Sequence, residues 1–151
     1  MDAEQVSRLR KIVGRLTRQI NSSDANQGLT ASQASVLGAV ATHGPFGLSE
    51  LVEFEGLNPT MLSRLVHHLV DAGLIERLPH PSDLRTAWVR ATDEGQAVNE
   101  LIRAQRTAIV AAAIKELTAR QVNDVVKAIP ALEALADQLQ ERARAQREGQ
   151  S

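Results

Sequence analysis

Val6, Leu9, Val13, Leu16 and Ile20 recur every three or four positions, and that spacing predicts an amphipathic helix at the start of the chain. Its other positions include Arg8, Arg10, Lys11, Arg15 and Arg18, with no acid between Gln5 and Ile20. Such a face can contact phosphate or can simply be solvated. The polar run from Asn21 to Gly28 reads as a linker. Thr30 and Gln33 then form a capping-box pair that opens a second helix near Ala31. It runs to about Thr42, turns Val36, Leu37 and Val40 inward, and stops at His43-Gly44-Pro45.

Leu51, Val52 and Phe54 mark a short third helix, and Leu57 seats the turn after it. Asn58 suits an N-cap because its side-chain oxygen can accept an orphan backbone N–H, and Pro59 at the first helical position gives up only a donor without a partner. In the helix that follows, Leu62, Leu65, Val66 and Leu69 face inward, leaving Thr60, Ser63, Arg64 and His67 on the outside. Gly73 ends it in the left-handed conformation and Leu74 and Ile75 begin a strand. Pro79-His80-Pro81-Ser82-Asp83 excludes helix, and Thr86 to Arg90 supplies a second, β-favouring strand. The product is a hairpin whose stiff tip carries Arg77, His80 and Arg85.

This order is that of a winged helix-turn-helix, in which the second helix fits the DNA major groove and the hairpin reaches backbone or minor groove. The candidate DNA-binding residues are therefore Asn58, Pro59, Thr60, Ser63, Arg64 and His67 on the helix, and Arg77, His80, Ser82, Asp83, Arg85 and Thr86 on the hairpin. Arg64 and Arg85 lead, because a guanidinium can bind guanine or phosphate through two parallel bonds. Arg85 can instead pair with Asp83.

Beyond the hairpin, Thr92 is placed to cap a long helix that begins with Asp93 and Glu94, acids favoured at its positive end. Ala104, Ala108, Ala111, Ala112 and Ala113 then alternate with Leu101, Ile102, Ile109 and Ile114. Thr118 and Gln121 open a last helix, which Pro130 is expected to kink or divide. Leu132, Leu135, Ala136 and Leu139 continue its stripe, and the polar tail from Glu141 is expected to fray. The apolar stripes at both ends exceed what a small winged module can cover. They call for a two-fold partner, which would also set two recognition helices about 34 Å apart. The expected fold class is mainly α with a small β-hairpin wing. Its parts are an N-terminal dimerisation helix and linker (1–28), the winged module (29–92) and C-terminal dimerisation helices (93–151).

Composition narrows the chemistry. At 151 residues and 43% hydrophobic, the chain can build one compact domain, or a small one with a dimerisation arm. Cysteine is absent, which removes disulfides and thiol chemistry. No apolar run approaches the roughly 20 residues of a membrane span and Met1 to Gln5 is no signal peptide, so a cytoplasmic protein is expected. His67 and His68 point about 100° apart on a helix and only His43 and His80 remain, so neither a metal nor another cofactor is expected. Trp88 reads as a packing residue of the second wing strand, with the wall of a ligand pocket as the alternative. No phosphate-cradling glycine loop, nucleophile elbow or H-E-x-x-H occurs, and an enzyme is not expected.

A net charge of -1 opposes indiscriminate binding to nucleic acid. The distribution is more favourable: Asn58 to Val70 holds Arg64, His67 and His68 without an acid, and Arg77 to Arg90 holds three arginines against Asp83. Glu50, Glu53 and Glu55 work the other way. A winged helix used only as a protein-interaction module is the alternative, and salt dependence separates the two, since counterion release makes DNA binding fall steeply with salt.

Ser63-Arg64-Leu65, Leu69, Ala72-Gly73-Leu74-Ile75-Glu76-Arg77, Asp83-Leu84-Arg85, Val89 and Thr92-Asp93-Glu94-Gly95 occur in order and at the spacing of a known series. The run resembles the MarR (multiple antibiotic resistance regulator) family of transcription factors, with its S-R-L, L-x-x-x-G-L-I-x-R, D-x-R and L-T-x-x-G motifs. Leu84 stands where a second arginine is common, Ala91 where a leucine is usual, and Met61 where threonine is frequent. The resemblance implies a homodimer on a pseudo-palindromic double-stranded DNA operator, acting as a repressor and released by a small aromatic or phenolic effector.

Overall fold

A computed structural model describes residues 1–22, 26–79, 82 and 87–148. Two compact units divide the chain, Met1–Val110 and Ala111–Ser151. The first holds α1 (Ala3–Ile20), α2 (Ala31–His43), β1 (Phe46–Gly47), α3 (Leu48–Glu55), α4 (Pro59–Asp71), β2 (Ile75–Pro79), β3 (Ala87–Ala91) and most of α5 (Asp93–Lys115). The second holds the end of α5 and α6 (Ala119–Glu148).

Local chemistry explains most helix ends. Asp2 and Gln5 form a reciprocal capping box at α1, and Thr30 and Gln33 form another at α2, each satisfying backbone donors that a helix start leaves orphaned. At the end of α4, Gly73 takes a φ of +73°. Its N–H donates to the Val70 carbonyl and that of Leu74 to Leu69, each at 2.9 Å, a C-terminal lock that favours a residue without a Cβ. The Thr92 hydroxyl donates to the Gly73 carbonyl at 2.6 Å and accepts from Gly95 N–H at 3.0 Å. A Cβ on Gly95 would stand 1.9 Å from the Leu74 carbonyl oxygen. The glycine is what lets the first turn of α5 close on the α4–β2 junction.

The core lies between α2, α3, α4 and the sheet. Val36, Leu37, Leu51, Val66, Leu69 and Val89 are fully enclosed, with Leu62, Leu74 and Ile75 beside them. The sheet is antiparallel in the order β1-β3-β2, with Arg77 opposite Val89, Leu78 opposite Trp88 and Phe46 also opposite Val89. The hairpin expected from the sequence is present, and β1 adds a third strand to it. Two residues of strand carry no periodicity, so β1 exists only through its pairing with β3. Trp88 is half-buried on that central strand.

Three expectations need correction. The segment after α1 is more than a polar linker: Asn26 is buried, its amide donates to the Asn21 carbonyl at 3.1 Å, and its oxygen accepts from Arg106 of α5 at 2.8 Å. Burial lowers the pKa of the Arg106 guanidinium from its ordinary value. Of the kink or division expected at Pro130, the division does not occur: α6 runs unbroken from Ala119 to Glu148. A break would expose two new sets of orphan N–H and C=O groups, whereas an internal proline forfeits one donor. The tail from Glu141 does not fray before Glu148. Glutamate, arginine, alanine and glutamine all favour helix, and polarity decides where a helix lies rather than whether it forms. Among the described residues, no helix is long and apolar enough to cross a membrane.

Candidate nucleic-acid interface

The face of α4 opposite the core is the centre of the candidate site. Leu62, Val66 and Leu69 are 1%, 0% and 0% exposed, and these anchors fix the helix's rotation on the module. Thr60, Ser63, Arg64 and His67 are all exposed on it. Asn58 caps the helix, its side-chain oxygen accepting from Thr60 N–H at 2.8 Å and Met61 N–H at 3.4 Å, and Pro59 takes the first helical position. The acceptor of Asn58 is thus engaged at home, leaving its amide nitrogen for an outside group.

Thr60, Arg64 and His67 are spaced by four and three, and the next member of that row is Asp71. Its carboxylate oxygen lies 3.3 Å from His67 Nε2, with both side chains well exposed. An acid at the negative end of a helix is disfavoured, and His67 one turn earlier gives its carboxylate a polar neighbour. Sequence reasoning closed the reading stretch at Val70 and so missed this residue. The four-residue interval from His67 was the available signal.

On the wing, Arg77 projects from β2 and is exposed. Arg90 sits directly opposite Glu76 in the β2–β3 register and forms an ion pair with it, so its charge is matched within the fold. Ser82 is exposed. His80, Asp83, Arg85 and Thr86 lie outside the described residues, and with them the pairing of Asp83 with Arg85.

Two of the three acids of α3 have structural duties. Glu50 accepts from the Gly47 N–H at 3.1 Å, and Glu55 accepts from the Ser35 hydroxyl at 2.8 Å. They hold α3 to β1 and α2, which accounts for negative charge beside the reading helix. Phe54 and His43 stack at 5.2 Å between ring centroids, and Phe54 and Phe46 at 5.3 Å, joining the same three elements by apolar contact.

The MarR family description matches residues 29–87. An HTH-type transcriptional regulator of Mycobacterium tuberculosis is 33% identical over 107 residues, covering 71% of this chain and 73% of the relative. The HTH-type transcriptional repressor MdtR of Bacillus subtilis is 28% identical over 114 residues, which is 76% of this chain and 74% of that one. Among solved structures, wild-type MarR of E. coli in its apo form is similar with a TM-score of 0.75 at 23% identity, over 87% of this chain and 96% of that chain. That likeness concerns the fold. Identity with the relatives and the matched motif region together establish that this chain belongs to the MarR family of winged-helix, DNA-binding transcriptional regulators, which are not enzymes.

Proposed function

We propose that this protein is a cytoplasmic, homodimeric repressor that reads a pseudo-palindromic operator and releases it when a small aromatic or phenolic effector binds. Asn58, Pro59, Thr60, Ser63, Arg64 and His67 enter the major groove. Arg77, His80, Ser82, Asp83, Arg85 and Thr86 meet the flanking groove. Residues 1–28 and 93–151 supply the dimer contacts and residues 29–92 the DNA contacts.

One observation carries the reading: α4 buries one side completely and presents Thr60, Ser63, Arg64 and His67 on the other. Those are the side chains that can donate to and accept from base edges and phosphates, while the buried side holds the helix rigid enough to use them. The dimer is supported by exposed apolar residues on the terminal helices, including Val13, Leu16, Leu132 and Leu139. The repressor assignment is supported by the likeness to a named repressor, and the effector by the family resemblance alone.

Selection of bound duplexes from a random library, followed by footprinting, tests the whole. An inverted repeat with half-sites about one helical turn apart is the expected result. Recovery of no preferred sequence, with association insensitive to salt, would leave the module as a protein-interaction domain. Arg64→Ala should cost roughly 1 to 3 kcal/mol of operator binding and relax preference at one position per half-site. An unchanged preference removes Arg64 from the reading set. For the effector, a panel of phenolic acids should raise the melting temperature and weaken operator binding together; no response across the panel removes that clause.

A further inference from the structure

Five of the seventeen lysines and arginines fall between Arg8 and Arg18, and α1 sets Glu4 alone against them. Arg8, Lys11, Arg15 and Arg18 are spaced by three, four and three. At about 100° per residue they share an arc of about 80° and span about 15 Å of helix. All four are exposed, and none takes part in an ion pair among the described residues. Val6, Leu9, Val13, Leu16 and Ile20 lie on the other side, so a partner covering that side leaves the basic row in water.

The winged module has the opposite balance. Residues 29–92 contain four arginines against six acids, and Arg90 and His67 each face a carboxylate within the fold. DNA affinity at physiological salt draws on several neutralised phosphates, and a module with more acids than bases is poorly supplied with them.

We infer that the basic row of α1 is a second DNA contact, in which Arg8, Lys11, Arg15 and Arg18 hold backbone phosphates without reading bases. This rests on the DNA-binding reading of α4 above. A duplex presents a negative charge about every 1.7 Å of its axis, and the row offers four cations along a comparable straight edge. Phosphate contacts add affinity and fix orientation but carry no sequence information. The division of labour follows: α4 and the wing select the site, and α1 supplies the charge that the module lacks.

The test is a charge-removal variant in the full chain, Lys11→Gln with Arg15→Gln and Arg18→Gln. Glutamine matches lysine and arginine in helix propensity, so α1 and its apolar side are retained, which circular dichroism and solution mass check. A comparison variant removes the same charge elsewhere, by Lys115→Gln, Arg120→Gln and Lys127→Gln. On a selected operator, the slope of log affinity against log salt should fall by about 0.9 for each phosphate that is no longer neutralised. Three such phosphates on each protomer of the dimer, six in all, shrink the gap between wild type and variant about 2,000-fold from 50 to 200 mM salt, and about 40-fold where only one protomer's row is engaged. Base preference should be unchanged and the comparison variant should follow wild type. If the first variant keeps the wild-type slope while wild type binds the operator, this inference fails and the reading of α4 stands; the row is then a solvated face or one for an acidic polypeptide. Equal losses of affinity in both variants also overturn it, since net charge alone would then be responsible. A wild-type protein that binds no duplex at all overturns the reading of α4 and the role of α1 with it.

Discussion

In the winged module and in the terminal helices, the same apolar residue types meet opposite fates. Leu37, Leu51, Leu69, Val36, Val66 and Val89 are 0% exposed, whereas Val6, Leu16, Val126 and Leu139 stand at 53%, 54%, 57% and 61%. Periodicity in sequence marks an apolar face in both places but says nothing of what covers it. In the module, two helices and a sheet close around α4 within a single chain. In α1 and α6, apolar residues on one side of each helix stay exposed in the single chain, the kind of area that marks a surface open to a partner.

Truncating a residue on each side of that contrast gives the largest separation. Leu37→Ala should destabilise the protein by about 2 to 5 kcal/mol, through lost transfer energy and the cavity left behind. Calorimetry would register this as a drop of several degrees or more in Tm, and a loss under 1 kcal/mol would mean the core can collapse around the gap. Leu132→Glu acts elsewhere. This leucine is 44% exposed in the single chain, so its remaining burial in the proposed dimer is worth about 1 to 2 kcal/mol per protomer. Two-fold symmetry counts it twice, and the dimer dissociation constant should rise roughly 30- to 1,000-fold. Sedimentation equilibrium reads that directly, with helix content unchanged. A variant that stays as tightly associated as wild type would move the interface off this face of α6.

What was legible in the sequence follows from how far apart the interacting groups stand. Asn58-Pro59, Thr30 with Gln33, Thr118 with Gln121 and Gly73 act over a few residues, and each sits in the structure where its local chemistry puts it. The junction of Asn26 with Arg106 joins groups eighty residues apart, and no local pattern announces it. The strand at Phe46–Gly47 and the pairing of Arg90 with Glu76 likewise depend on register across the sheet. Arg90 therefore entered the count of positive charge on the wing although its charge is matched. The outer face of α4 was readable because burial of Leu62, Val66 and Leu69 fixes it. The reading of the wing tip at His80 and Arg85 falls outside the described residues.

The smallest effect comes from the rim of the module, at a residue that serves both the fold and the candidate interface. Asn58→Ala removes the acceptor for Thr60 and Met61 N–H and should cost about 1 kcal/mol of stability, or roughly 2 to 4 °C in Tm. Asn58→Asp keeps that acceptor and adds negative charge where the helix dipole favours it, so its Tm should match or slightly exceed wild type. On operator DNA the order reverses. Both variants give up the amide donor, and the aspartate also brings a carboxylate toward phosphates, so it should bind more weakly than the alanine variant even though it is the more stable protein. That inversion would place Asn58 at the duplex. Operator affinities that instead track the melting temperatures would confine it to capping, and the groove-facing row of α4 would begin at Thr60.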